Sequence, residues 1–331
     1  MLPEKEVKQT VPLESSQSKD KGKKPVRMFQ PQKKKPKVKS DNQNFTGYMF
    51  ISPFLIGLFA LTLFPILYSL YLSFTDYDLM GTPNWIGMDN YVRMFTNDPT
   101  FWTSMKVTFF YAGVAVPFRL VFALLVALAL NKIVEMAGLY RTLLYLPSVV
   151  GGSIAIAIMW RQLFGNEGAI NSILAGLGLP THPWLGDPDT AIWTLIILYG
   201  WQFGSSMLIF LAGLRNIPKT YYEASSVDGA SPLRQFFIIT LPLLTPVILF
   251  NTIMQVIQGF MAFTPSFVVT NGGPVNSTLL YVLYMYERAF EYFDMGYASA
   301  MAWVMLIIIA IFTALIFKSS EHWVHYEGDS K

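Results

Sequence analysis

Long apolar runs dominate the pattern of hydrophobic and polar positions along the chain. Six runs are long enough to cross a bilayer, which takes about 20 apolar residues in a helix. They cover residues 50–72, 107–130, 143–160, 191–214, 240–270 and 297–317. The apolar residues are continuous rather than alternating, and chains cross hydrocarbon only as helices or closed barrels. We therefore predict an all-α integral membrane protein with six transmembrane helices.

Composition and charge divide the chain into two parts. Of its residues, 53% are apolar and 14% are charged, whereas a soluble domain carries about 25% charge. Twelve of the 24 Lys and Arg residues lie within residues 1–44. This segment lacks hydrophobic periodicity, so we predict a disordered basic tail over 1–44 and a membrane domain over 45–331. We interpret the tail as a solvated segment that helps to fix orientation, with binding of anionic lipid or nucleic acid as the alternative.

The basic residues also predict the orientation of the chain. With the N-terminus inside the cell, the inside segments contain 19 Lys and Arg residues and the outside segments contain four. Cytoplasmic loops carry an excess of Lys and Arg. We therefore predict a multi-pass protein with both termini in the cytoplasm.

Several kinds of chemistry are absent from the sequence. The chain contains no Cys and only three His residues, so we expect no metal site and no cofactor. It contains no GxxxxGK[ST] loop for ATP. No span holds a carboxylate pair, which gives a proton-relay transporter little support. Three classes of protein remain compatible with the sequence: a transport subunit, a secondary transporter, and a membrane scaffold or enzyme.

The segment between the fourth and fifth runs is the most informative. Pro218 suits the first turn of a helix, and Gly229 suits the residue after its end. Ser231-Pro232 suits the start of a second helix. We predict two short helices that meet at a glycine corner, either as a docking surface or as an amphipathic connector.

This segment resembles the EAA loop of ABC-importer permeases. Glu223-Ala224-Ser225 is followed by Gly229 after three residues and, after nine more, by Ile239-Thr240-Leu241-Pro242. The third motif position is Ser225 rather than Ala, and Asp228-Gly229-Ala230 is typical of the sugar branch. The likeness extends over about residues 45–327 and is similar to the larger permease of the maltose and glycerol-phosphate type.

The resemblance implies the type I ABC importer permease fold and its assembly. A second permease would complete a heterodimer, and an extracellular solute-binding protein would deliver a sugar. Two ATP-binding subunits would dock on the EAA loops of the permeases, in this chain the loop at 216–242. ATP hydrolysis would then belong to the partners, in the cell membrane of a bacterium. A secondary transporter or a non-transport scaffold, both without an ATPase, is the alternative. The residues implied in coupling are Glu223, Ala224, Ser225, Asp228, Gly229, Leu241 and Pro242.

Polar residues inside the runs are candidates for a solute pathway. Arg119 lies near the middle of the second run. We interpret it either as a residue that faces the solute path or as one that caps backbone carbonyls or pairs with the second permease. Asn251, Gln255 and Gln258 are spaced to share one helical face. We expect these side chains either to line a sugar pathway or to form hydrogen bonds between helices.

Glycines inside the runs indicate how the helices pack. Gly200 and Gly204 form a GxxxG pair, which favours close helix packing. Gly151-Gly152, shortly after Pro147, favours a kink in the third span.

Overall fold

The computed structural model describes residues 41–132 and 137–325 and divides the chain into two compact units, Met1–Ile56 and Gly57–Lys331. The described part of the first unit belongs to the helix Asp41–Gly57. The basic tail predicted over 1–44 lies outside the described residues, except for residues 41–44, which are helical. Its disorder therefore stays a prediction. All side-chain contacts given below lie within the second unit.

The described chain is built from apolar helices long enough to cross a membrane. Four are uninterrupted and two are bent pairs, so the predicted all-α membrane fold is confirmed. We name them spans one to six: Gly47–Leu72, Pro99–Lys132, Gly138–Val150 with Ile154–Leu163, Pro188–Trp201 with Gly204–Asn216, Pro232–Phe260 and Met295–Ser320.

The kink predicted in span three is present, whereas span four differs from the continuous helix expected over 191–214. Span three bends by 95° and span four by 42°. In span three a turn at Gly151 and Gly152 precedes Ser153, whose hydroxyl accepts the Ile156 amide at 3.3 Å and starts a new helix. The glycine pair predicted the site of this break, although not its size.

Span five also differs from the helix expected over 240–270. It begins earlier, at Pro232, and ends at Phe260. Ser266–Thr270 forms a separate π-helical segment. Residues 262–263 are not helical, and Pro265 lies in the first turn of the following segment, where its missing amide hydrogen is tolerated.

Short helices join the spans on the side of the membrane opposite the loop at 217–231, which we call the far side. Asp89–Thr96 leads into span two, and Ala169–Gly176 lies between spans three and four. Tyr281–Tyr286 and the π-helical Glu287–Glu291 precede span six. The loop side instead holds the helix Lys219–Val227, which we call the loop helix.

Span two lies at the centre of the packing, and three apolar clusters follow its length. Near the far side, Phe101 packs with Tyr281 and Tyr297. In the middle, Tyr111 belongs to a cluster with residues of spans three and four. Towards the loop side, Ala127 belongs to a cluster with residues of spans four and five. Spans two, four and five therefore form one continuous packed unit.

Candidate functional site

The loop helix ends in the predicted glycine corner. The Gly229 amide donates to the Ser226 carbonyl at 3.1 Å, and the Ala230 amide donates to the Ser225 carbonyl at 2.9 Å. These two bonds form a Schellman motif. Gly229 has a φ of +76°, a left-handed conformation that costs other L-residues about 1–2 kcal/mol.

Side chains from the start of span five hold the loop helix in place. Gln235 Nε2 donates to Ser225 Oγ at 3.0 Å and to Ser226 Oγ at 2.9 Å. The hydroxyls of Tyr222 and Thr240 share a hydrogen bond of 2.9 Å. The Ser225 hydroxyl, where the related motif has a methyl group, therefore helps to join the loop helix to span five.

The corner presents acidic and apolar side chains outward. Glu223, Ala224 and Asp228 are exposed, and Val227 is 89% exposed. Beside them lies a cleft of about 200 Å³, whose lining includes Asp228 and Arg234. The small residues leave the backbone of this rigid corner open to close approach by another protein.

The second loop helix is not a separate element, which corrects the prediction of two short helices. Ser231 caps the helix and Pro232 is its first residue, as expected, but the helix then continues as span five. The Leu241 amide donates to the Phe236 carbonyl five residues back. This wider π turn accommodates Pro242, which lacks an amide hydrogen. Leu241 and Pro242 thus lie inside span five.

Three of the four predicted pathway residues lie in the interior of the chain. Arg119 is 4% exposed, Gln255 is 3% exposed and Asn251 is fully buried. The Arg119 guanidinium carbon lies 4.6 Å from the centroid of the Tyr199 ring. Arg119 Nη2 donates to Ser205 Oγ at 3.1 Å. An aromatic face and a hydroxyl, both from span four, therefore stabilise the charge.

The amides of span five bond to span four as well. The Tyr199 hydroxyl donates to Gln255 Oε1 at 2.9 Å, and Asn251 Nδ2 donates to the Ser206 carbonyl at 3.4 Å. Arg119 Nε, Asn251 Oδ1 and Ser206 Oγ are buried without a partner among the described residues. We call Arg119, Tyr199, Asn251 and Gln255 the buried polar cluster; it joins spans two, four and five.

Gln258 lies apart from this cluster. Its side chain is exposed, next to Met254 and Met261, which are 39% and 58% exposed. The spacing correctly placed Asn251 and Gln255 on one buried face, but Gln258 lies at the edge of that face and points away from span four.

The breaks in spans three and four are hydrogen-bonded to each other. Gln202 Nε2 donates to the Gly151 carbonyl at 2.9 Å, and the Ser148 hydroxyl donates to the Gln202 carbonyl at 2.8 Å. The Ser205 amide donates to Ser148 Oγ at 3.1 Å. These bonds satisfy backbone groups that the breaks would leave unpaired in hydrocarbon.

Close packing explains the GxxxG pair, as predicted. A Cβ at Gly200 would collide with the ring of Phe118 from span two. At Gly204 it would lie 2.8 Å from the Leu144 carbonyl oxygen of span three. Gly200 therefore allows span two to pack closely against span four, and Gly204 allows span three to do the same.

A second polar network lies on the far side. Asp98 Oδ2 accepts hydrogen bonds from the hydroxyls of Tyr284 and Tyr297, each at 2.6 Å. Arg288 Nη2 lies 3.7 Å from the same oxygen. Burial alone would raise the pKa of Asp98, but the two tyrosines, the Phe101 amide and the Arg288 charge together hold that pKa below its ordinary value. The network joins the start of span two to the start of span six.

Several of these residues were not predicted from the sequence. Ser148 and Gln202 are polar residues within apolar runs, and Asp98 directly precedes Pro99 at a helix start. Polar positions in a span and an Asp-Pro helix start are signals that could have identified them. Tyr199 carries no such signal, because aromatic residues are common throughout the spans.

Comparison with known proteins identifies the family. Residues 42–324 match the family described as "Binding-protein-dependent transport system inner membrane component". The chain is 55% identical over 299 residues to the probable ABC transporter permease protein YesP of Bacillus subtilis (strain 168), covering 89% of this chain and 96% of that one. The chain belongs to this family of ABC transporter permeases.

Other relatives in the family have named cargoes. The arabinooligosaccharides transport system permease protein AraP of Bacillus subtilis (strain 168) is 34% identical over 282 residues, covering 82% of this chain and 88% of that one. The lactose transport system permease protein LacF of Rhizobium radiobacter is 35% identical over 282 residues, covering 83% and 93%.

A solved structure supports the fold. A chain of a bacterial ABC transporter that imports alginate matches with a TM-score of 0.74 at 20% identity, covering 85% of this chain and 96% of that one. Together with the family, this identifies a multi-pass ABC importer permease rather than a secondary transporter or a scaffold.

Proposed function

We propose that the chain forms half of the membrane pathway of an ATP-driven carbohydrate importer. A second permease would form the other half, and an extracellular binding protein would deliver the sugar. Two ATP-binding subunits would dock on the EAA loops of the two permeases, in this chain at 216–242. The relatives named for arabinooligosaccharides and lactose support a carbohydrate cargo. The excess of Lys and Arg on the loop side supports cytoplasmic termini in a bacterial cell membrane.

The continuity between the loop corner and span five carries this proposal. The corner at Gly229 is rigid, and it is bonded through Gln235 and Tyr222 to the helix Pro232–Phe260. That helix reaches Asn251 and Gln255 of the buried polar cluster. A displacement of the corner by an ATPase would therefore move span five as a unit. Glu223, Ala224, Ser225, Asp228 and Gly229 would form the docking surface, with Leu241 and Pro242 in the transmitting helix.

The pathway residues divide into two roles in this proposal. Gln258 lies on the open face of span five and would contact solute directly. Asn251, Gln255 and Arg119 lie behind that face and would hold its position. An amide is suited to sugar hydroxyls because it both donates and accepts hydrogen bonds.

ATP-dependent uptake into proteoliposomes tests the proposal. The chain would be reconstituted with its second permease, its ATP-binding subunits and its binding protein, and supplied with labelled lactose and arabinooligosaccharides. We expect uptake of at least one carbohydrate that requires both ATP and the binding protein. Uptake driven by a proton gradient in the absence of the ATP-binding subunits would contradict it.

Single-cysteine cross-linking tests the docking surface separately. The chain has no native cysteine, so Val227→Cys introduces one reactive thiol at an exposed corner position. Leu179→Cys, at a 51% exposed position on the far side, is the control. We expect an ATP-binding subunit to cross-link to the first variant and not to the second.

A further inference from the structure

An apolar groove lies on the far side, away from the buried polar cluster. It has a volume of about 650 Å³ and lies between the end of span one, the helix Asp89–Thr96, and spans two and six. Of its lining residues, Met88, Trp102 and Ile307 are 59%, 45% and 52% exposed. The groove is therefore accessible from the surface of the chain.

The polar side-chain atoms in the groove wall already form hydrogen bonds within the chain. The Tyr91 hydroxyl donates to Ser73 Oγ at 2.9 Å. The indole nitrogens of Trp102 and Trp303 donate to the Phe95 carbonyl at 3.1 Å and to Ser69 Oγ at 3.3 Å. A sugar in this groove would leave its hydroxyls without partners, at a cost of about 1–3 kcal/mol for each buried group. The groove therefore suits a purely apolar occupant.

The groove extends along span two through much of one leaflet of a bilayer. Trp102 lies in the first turn of span two, at the level of the aromatic belt. Phe109, seven residues further, lies about 10 Å deeper along the helix. One leaflet has a hydrocarbon depth of about 15 Å. The groove thus extends from the membrane interface well into the hydrocarbon.

Lys106 directly follows Met105, a lining residue of the groove. Lys106 is exposed and lies on span two between Trp102 and Phe109, four residues after the first and three before the second. The nearby Arg93 is paired with Asp294 at 2.8 Å, whereas Lys106 forms no ion pair with any residue that the structure describes. A lysine at this depth extends its ammonium group to the interface, where lipid phosphates lie.

We propose that this groove binds one phospholipid, with an acyl chain between spans two and six and its phosphate on Lys106. The apolar wall, the depth and the cation each match one part of that molecule. The bound chain would pack between Trp303 of span six and Trp102 of span two, so the lipid would stabilise the far-side ends of both spans. The inference rests on the spans alone and not on the cargo or the ATPase partner.

Native mass spectrometry of the assembled complex, purified from nanodiscs of phosphatidylethanolamine and phosphatidylglycerol, tests the proposal. Ile307→Trp would fill the groove, and Ile311→Trp is its control, one turn further along span six and also 52% exposed. We expect the wild type and Ile311→Trp to retain one more phospholipid for each copy of this chain than Ile307→Trp does.

A second pair of variants tests the phosphate contact. Lys106→Gln should weaken phospholipid retention about fivefold, because one lysine near a membrane surface contributes about that factor. Lys132→Gln, at an exposed position at the other end of span two, should leave retention unchanged. Equal retention in all four variants would overturn the proposal. So would cross-linking of Met88→Cys to a helix of the second permease, which would show that a protein fills the groove.

Discussion

Span five and the pair of spans three and four cross the same membrane by opposite designs. Span five is continuous from the loop corner to Phe260, whereas spans three and four are each broken near mid-membrane, at Gly151–Ser153 and Gln202–Phe203. Span five would therefore respond to a push on the loop as one body. Spans three and four are each two short helices, and their breaks are joined by hydrogen bonds through Ser148 and Gln202.

The largest expected effect comes from the far-side network, which joins the start of span two to the start of span six. Asp98→Ala would leave the hydroxyls of Tyr284 and Tyr297 without their acceptor and Arg288 without its counter-charge. We expect a loss of about 3–5 kcal/mol in the free energy of unfolding, as for other broken buried pairs. Thermal unfolding of the purified chain in detergent measures it, with Tyr297→Phe as a milder control.

The same network predicts a pH dependence. Because the pKa of Asp98 is lowered in the folded chain, the carboxylate contributes stability at neutral pH. That contribution should be lost as the pH falls below the ordinary value of 3.8 towards the lowered pKa. Unfolding of Asp98→Asn should be less sensitive to pH over that range. Equal sensitivity in both proteins would show that another group is responsible.

The next largest effect on stability is expected at the break in span three. A Cβ at Gly151 would collide with Gln202 and with the Pro147 carbonyl, whereas a Cβ at Gly152 would meet nothing. We expect Gly151→Ala to destabilise the chain by about 1–3 kcal/mol, as overpacking does, and Gly152→Ala to leave stability almost unchanged. Equal stability of the two variants would show that close packing of Gly151 against Gln202 does not hold the two breaks together.

The buried polar cluster should show a smaller effect. Gln255→Leu would leave the Tyr199 hydroxyl without its side-chain acceptor, which we expect to cost about 0.6–2 kcal/mol in a membrane helix bundle. A double-mutant cycle with Tyr199→Phe measures the coupling. Additive losses would mean that this bond does not join spans four and five.

The smallest expected effect concerns the contact between the loop helix and span five. Ser225→Ala removes one acceptor of Gln235, and we expect a cost of about 0.5–1.5 kcal/mol. Loss of transport should exceed loss of stability, because the bond aligns the corner with span five. Ser226→Ala, which removes the neighbouring acceptor, is the matched comparison.

Local signals explain what the sequence predicted well. Gly229 adopts positive φ, Ser231 caps a helix, and Gly151-Gly152 marks a break, because each depends on residues close in the chain. The start of span five was missed because the apolar residues after Arg234 continue the helix without a stop signal. The ten residues after Phe260 were assigned to the span because hydropathy alone does not register the non-helical residues 262–263.

Contacts between distant residues could not be predicted in this way. Asp98 meets Tyr284 and Tyr297 across 186 and 199 residues of sequence, and no period in the sequence pairs them. Gln258 illustrates the same limit within one helix. Its spacing placed it with Gln255, but burial depends on which neighbouring helix covers each part of the face.

The most direct test of the account is the coupling of ATP hydrolysis to uptake in Gly229→Asn and Gly229→Asp. Asn and Asp tolerate positive φ better than most residues, and a Cβ at Gly229 meets nothing within the chain, so neither variant should lose its fold. Gly178→Asn is the control, because Gly178 has a similar φ of +71° and equally open space on the far side.

We expect both Gly229 variants to stay in the membrane but to lose the ATP-binding subunits or to hydrolyse ATP without uptake, with Asp affected more than Asn. Gly178→Asn should transport normally. Full retention of the ATP-binding subunits with normal coupled uptake in Gly229→Asp would contradict the claim that this corner transmits the ATPase motion.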